Sequence, residues 1–267
     1  MKYTTEFTEA LSNKDFNALV EIINRDKINA KELIHIDDDY ALLLTAEEGN
    51  MQFLDFMVSL TPDQKVLQKM IHTNDDEAFR SAAKAGKLDF LKRLVSLTTD
   101  PEALQKMIHA QDNDAFISAA EGGHFHVSKF LVSLTTDPDA LEDMLHIQDN
   151  YVFYLAAQNE QLELLKLLLE NTHNPQDIQS MISSYNNSIF YIMRDHYQDN
   201  QPSNKVIEMA KLLLSYDYNN VLLKLYNLCN FGQETIEDCR LSHSLSKISL
   251  NNTEEISMQI IGSDAIE

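Results

Sequence analysis

Glu77-Ala78-Phe79-Arg80-Ser81-Ala82-Ala83-Lys84-Ala85-Gly86-Lys87-Leu88-Asp89-Phe90-Leu91-Lys92-Arg93-Leu94-Val95-Ser96-Leu97 is the stretch that decides the fold. Its first half is rich in helix formers and stops at Gly86, a residue able to take the left-handed C-cap conformation without a steric penalty. Leu88, Phe90, Leu91, Leu94, Val95 and Leu97 then recur at helical spacing, with Lys87, Lys92 and Arg93 on the other side, so a second helix follows a tight reversal. Asp100-Pro101 announces a third, shorter helix, with a side-chain acceptor at N-cap and proline at N1. Leu104, Met107 and Ile108 give that helix its apolar face.

The same unit returns at a fixed step of 37 residues. Ile34-His35, Ile71-His72, Ile108-His109 and Leu145-His146 keep the register, and Met181-Ile182-Ser183 closes the series. Ala82-Ala83, Ala119-Ala120 and Ala156-Ala157 hold it as well, as do Phe79, Phe116, Phe153 and Phe190. Gly49 and Gly123 stand where Gly86 stands, and Asp137-Pro138 and Asn174-Pro175 where Asp100-Pro101 stands, with Thr61-Pro62 slightly out of register. A period in the 20 to 50 range predicts one stacked all-α solenoid in place of independent domains.

Composition agrees with that reading. Six glycines and five prolines are too few for a loop-rich all-β fold. A net charge of -21, with 21 bases against 42 acids, opposes direct binding to nucleic acid or to anionic membranes and would attract a basic protein surface. No run approaches the roughly 18 apolar residues of a membrane span, and Met1 to Glu6 lacks an apolar signal core, so a soluble chain that is not Sec-exported is expected. Cys229 and Cys239 fit neither a disulfide framework nor a zinc site and read as reduced core residues.

Asp112-Asn113-Asp114-Ala115-Phe116-Ile117-Ser118-Ala119-Ala120-Glu121-Gly122-Gly123-His124-Phe125-His126-Val127, continued by Phe130-Leu131-Val132, resembles an ankyrin repeat. An Asp-containing turn, a helix ending in Ala-Ala, a Gly-His turn and a Val/Leu-rich second helix carry the likeness, which covers roughly residues 8 to 215. The period is 37 where ankyrins have about 33, and the Thr-Pro-Leu-His signature is missing. The Pro-capped third helix is expected to replace or precede the ankyrin β-turn finger. Units with Leu-Thr-Thr-Asp-Pro followed by Met-Ile-His also look like those of ankyrin-repeat effectors that intracellular bacterial pathogens deliver by type IV secretion. That resemblance implies secretion into the host cytoplasm and capture of a host protein. The acidic tail 250–267 would be the translocation signal.

The expected organisation is an N-terminal capping half-repeat at 1–36 and repeats at 37–73, 74–110, 111–147, 148–184 and 185–216. Capping helices at 217–249 and the tail at 250–267 follow. The fifth repeat carries about eight extra residues, since Ile207 to Leu214 matches Leu162 to Leu169 at a step of 45, and they form a polar loop at 195–203.

No site for chemistry emerges. His35, His72, His109 and His146 sit in successive layers, about 8–10 Å apart, whereas zinc draws its ligands to about 2 Å of one centre. They read as turn or capping residues, and Asp38, Asp75, Asp112 and Asp149 as turn and N-cap residues. No phosphate loop, His-Glu-x-x-His motif or nucleophile elbow is present, so no catalytic residue, cofactor or metal is assigned. Asp195, His196, Tyr197 and Asp199 read as an exposed loop, with an enzyme built on that loop and the C-terminal cap as the alternative, and a non-secreted scaffold as another.

Residues that vary at aligned positions do not fix the common fold and are candidates for partner contact. One such row is Leu43, Arg80, Ile117, Tyr154 and Tyr191; its neighbour is Tyr40, Glu77, Asp114, Tyr151 and Ser188. In ankyrin repeats this face lies toward the concave groove. Tyrosine and arginine are favoured anchors, so an acidic and aromatic groove holding a protein partner is expected, although Tyr151 and Tyr154 could instead pack against the neighbouring third helix.

Overall fold

A computed structural model describes residues 4–25, 29–195, 197–198, 201–202, 204–217, 221 and 224–225. The chain forms two compact units, Met1–Ile147 and Gln148–Glu267.

The first unit repeats one motif four times. Its helices are α1 (Thr4–Ser12), α2 (Phe16–Arg25) and α3 (Ala30–Ile34), then α4 (Ile36–Glu48), α5 (Met51–Leu60) and α6 (Gln64–Ile71). They continue as α7 (Thr73–Lys84), α8 (Leu88–Leu97) and α9 (Pro101–Ile108), then α10 (Ala110–Glu121), α11 (Phe125–Leu134) and α12 (Pro138–Leu145). Residues 1–36, expected as a half-repeat, thus supply all three helices of a unit. The second unit holds α13 (Ile147–Gln158), α14 (Leu162–Asn171), α15 (Pro175–Asp195) and α16 (Asn204–Tyr216). Between α15 and α16 the expected polar loop contains a two-residue antiparallel ribbon, β1 (Tyr197–Gln198) and β2 (Gln201–Pro202).

The first helices α1, α4, α7, α10 and α13 end in a Schellman motif. Gly86 N–H donates to Ala83 O (3.1 Å) and Lys87 N–H to Ala82 O (2.8 Å), with Gly86 at φ +69°. Gly49 and Gly123 repeat this at φ +69° and +71°, while Glu160 takes the place at φ +52°. The alanine pairs lie directly before these turns and are fully buried, as are Phe79, Phe116, Phe153 and Phe190. Small residues there let first helices stack closely, and in the first unit α7 packs against both α4 and α10.

The third helices are capped as their sequence predicts, with one correction. Asp100, Asp137 and Asn174 accept from backbone N–H groups of their first turns at 3.0–3.2 Å. At α6, in the first unit, Asp63, not Thr61, is the cap, accepting from Lys65 N (2.8 Å) and Val66 N (3.3 Å). Asp63 lies in register with Asp100, so the period is kept. Thr61, Thr98, Thr135 and Thr172 form another ladder: each hydroxyl donates to a carbonyl four residues back (Met57, Leu94, Leu131 and Leu168, 3.0–3.1 Å), closing the end of a second helix.

After the Pro-capped third helix, expected to replace or precede the ankyrin β-turn finger, stands a left-handed turn. Residues 37–39, 74–76, 111–113, 148–150 and 185–187 all have φ between +48° and +71°. Three such residues in succession are costly, at about 1–2 kcal/mol each for a non-glycine side chain, and Asp and Asn, which tolerate the region best, fill most positions.

Gly86 also faces a neighbour: a Cβ added to it would lie 2.5 Å from His124 Nδ1 of the following repeat. We expect Gly86→Ala to destabilise by about 1–2 kcal/mol from the left-handed backbone and by about a further 1–3 kcal/mol from overpacking. In a His124→Ala background only the backbone part should remain. Urea unfolding midpoints of the four chains in this double-mutant cycle measure the difference, and additive losses would show that His124 yields freely.

Candidate protein-interaction surface

The histidine ladder is accounted for by the left-handed turns. The ring Nδ1 of His35 pairs with Asp39 Oδ1, that of His72 with Asp76 Oδ1 (2.5 Å) and that of His109 with Asn113 Oδ1 (2.6 Å). Carboxylate and amide oxygens can only accept, so Nδ1 carries the proton in each ring. The interchange of Asp and Asn at one position shows that an oxygen, not a charge, is what the turn requires. Nε2 of His72 and of His109 is buried with no hydrogen-bond partner among the described residues.

These bonds correct one expectation. Asp38, Asp75 and Asp112, read as turn and N-cap residues, do lie in the turns, but exposed at the middle position. The acceptors are one residue later, Asp39, Asp76 and Asn113, and with Asn150 at the same place they are only 5–8 % exposed. Asp39 Oδ2 also accepts from Thr73 Oγ1 (2.8 Å), which ties two repeats together. Among the described residues no group of three or more His, Cys, Asp or Glu is placed to hold a metal ion, and no helix is long and apolar enough to cross a membrane.

The candidate rows fare differently in the two units. In the first unit Tyr40 stays exposed, while Leu43, Glu77, Asp114 and Ile117 are half-buried. Arg80 is committed to the fold. Its Nη1 donates to Asp114 Oδ2 (2.9 Å), its Nε to Asp75 O (3.1 Å), and its Nη2 reaches Asn74 O (3.4 Å). The guanidinium therefore buttresses its own left-handed turn and the next repeat, and both charges of the pair are compensated before any partner arrives.

In the second unit Tyr151 and Tyr154 stack on each other, with ring centroids 6.2 Å apart and planes at 24°. Both also meet Tyr185, at 6.3 and 5.0 Å. That ring opens the left-handed turn at 185–187 and is itself 43 % exposed. Tyr185 was not among the candidates. It could have been found, because at the 37-residue step it replaces Asp37, Asn74, Gln111 and Gln148, all polar. Burial first, and then the Asp149 carboxylate, push the Tyr185 phenol above its ordinary pKa. Tyr191 is 40 % exposed at its edge, but Arg194 covers its ring at 5.1 Å from the centroid and pairs with Asp195 at 3.1 Å.

The alternative enzymatic site lies largely outside the described residues, which exclude His196, Asp199, Cys229, Cys239 and the 233–267 segment.

Residues 79–182 match the family model of ankyrin repeats (3 copies). No curated protein and no solved structure matches the chain. The segment from α7 into α15 is thus similar to ankyrin repeats, and the fold is an all-α repeat solenoid.

Burial alone would raise the Asp39 pKa, but hydrogen bonds from His35 and Thr73 and the charges of His35 and Lys69 outweigh it and hold the carboxyl below its ordinary value. A folded-state pKa below the unfolded value of about 3.9 gives stabilisation that is fully present above that pH and is lost as pH falls through the folded value. Asp39→Asn keeps an oxygen for His35, as Asn113 does for His109, and removes this dependence. Urea midpoints followed from about pH 6 to pH 2 should fall less steeply below about pH 4 in Asp39→Asn than in the parent chain. Parallel acid limbs would refute the assignment.

Proposed function

We propose that the chain is a non-enzymatic protein-binding module whose partner lies on the first-helix face of the repeats, contacting Tyr40 and Glu77 in the first unit and Tyr151 and Tyr154 in the second. The observation that carries this reading is the match to ankyrin repeats, which indicate protein–protein interaction, combined with variable first-helix residues that remain wholly or partly accessible. Leu43 and Ile117 would add apolar contact beside Tyr40 and Glu77. Arg80, Asp114 and Tyr191 play a lesser part, because each already has an internal partner.

The repeats' likeness to type IV effector units supports a finer proposal: a secreted bacterial effector that engages a host protein in the host cytoplasm, with residues 250–267 as the delivery signal. The charge of -21 favours a partner with a basic surface. Deleting 250–267 should abolish transfer of a reporter fusion into host cells while leaving circular dichroism and partner binding in vitro unchanged. Undiminished transfer would remove the tail from the mechanism, and absence of transfer by the full chain from a competent bacterium would leave a scaffold that stays in its cell. Tyr40→Ala with Tyr154→Ala should weaken capture of the partner about 10-fold or more, in line with aromatic anchors.

A further inference from the structure

We propose that Tyr151, Tyr154 and Tyr185 form a preorganised platform for an arginine side chain on the partner protein, with Asp149 supplying the opposing charge. This rests on the protein-binding reading above and names the chemistry of what binds.

The first observation is a violation of local preference. Tyr185 has φ +48° and ψ +45°, opening a run of three left-handed residues. Asp, Asn and Gln occupy that position in the preceding repeats and tolerate it better than a bulky aromatic does. A residue held in a sparsely populated backbone region, with a large apolar ring 43 % exposed, points to a role outside folding.

The second observation is that the ring is fixed in place. Its hydroxyl donates to Gln148 O at 2.8 Å, and its plane lies 31° from that of Tyr154 at 5.0 Å between centroids. Tyr151 closes the cluster at 6.3 Å from Tyr185 and 6.2 Å from Tyr154. With the Tyr185 hydroxyl taken by the backbone, what the ring offers a partner is its π face, already ordered, so binding loses little side-chain entropy.

Charge selects the ligand. An aromatic face carries negative quadrupole density, Asp149 acts on the same ring, and the whole chain stands at -21. A carboxylate would be repelled here. The centroid spacings leave the rings in mutual contact, with no space to enclose a quaternary ammonium, so a flat guanidinium laid on an open face fits better than a caged cation. The same unit already uses this pairing internally, where Arg194 lies over Tyr191 at 5.1 Å.

The test selects phage-displayed random dodecapeptides on the immobilised full chain and measures the best binder by fluorescence anisotropy. Arginine should be enriched, and its replacement by citrulline, uncharged but of similar shape, should weaken binding by about 3- to 30-fold. Tyr185→Asn restores a residue type suited to the left-handed turn. It should leave the unfolding midpoint unchanged or raised while weakening the peptide by a similar factor, and Tyr185→Phe should retain most of the affinity. Asp149→Asn should weaken binding and flatten its salt dependence. Selected peptides without arginine, or citrulline binding equally well, would overturn the arginine assignment. Binding untouched by Tyr185→Asn, or lost together with stability, would overturn the platform. In each of those cases the protein-binding reading stands, whereas a full chain that enriches no peptide would overturn both.

Discussion

Between each third helix and the first helix that follows, three consecutive residues hold left-handed backbone dihedrals, and the course of the chain depends on that turn being held. Each such residue opposes the intrinsic preference of an L-amino acid by about 1–2 kcal/mol. In the turns that follow His35, His72 and His109, the histidine donates from Nδ1 to a buried Asp or Asn at the end of the turn and closes it on itself. A net contribution of about 1 kcal/mol for one such hydrogen bond does not offset three strained residues. The balance comes from the buried layers of Phe, Leu and paired Ala that the turn brings into register.

This dependence explains why the polar clusters along the repeats are spent on the fold. His35, Asp39 and Thr73 form a linked set that in an enzyme would suggest proton transfer, yet every contact in it closes a turn or joins two repeats. Arg80 is a second case. Its position in the variable row suggests an anchor for a partner, but its donors reach two turn carbonyls and Asp114. Variation between repeats therefore does not by itself mark a partner contact, since a varying residue can solve a local bonding problem in one layer.

Much of the architecture was legible in the chain. The 37-residue step located the Schellman turns, the Asp-Pro and Asn-Pro caps and the buried Phe and Ala positions, because each is set by local backbone geometry or by helical periodicity. Thr61-Pro62 misled because a proline usually marks N1, whereas here Asp63 keeps the register and Thr61 bonds back to Met57. The finger region stayed open for a different reason: nothing in Asp-Asp-Asp or Gln-Asp-Asn distinguishes a hairpin tip from a left-handed turn, since Asn and Asp favour both. Tyr185 was visible as a break in the period, but its significance needed the distances to Tyr151 and Tyr154.

The sequence by itself determined that this protein is a helical repeat array with a strongly acidic charge, because periodicity, capping residues and composition act through neighbours a few positions apart. Tertiary structure decided which side chains of the variable rows remain available. Arg80 and Tyr191 look as free as Tyr154 in one dimension, and whether a guanidinium meets a carboxylate of the next repeat or a ring meets a cation one turn away depends on distances that only the folded chain sets.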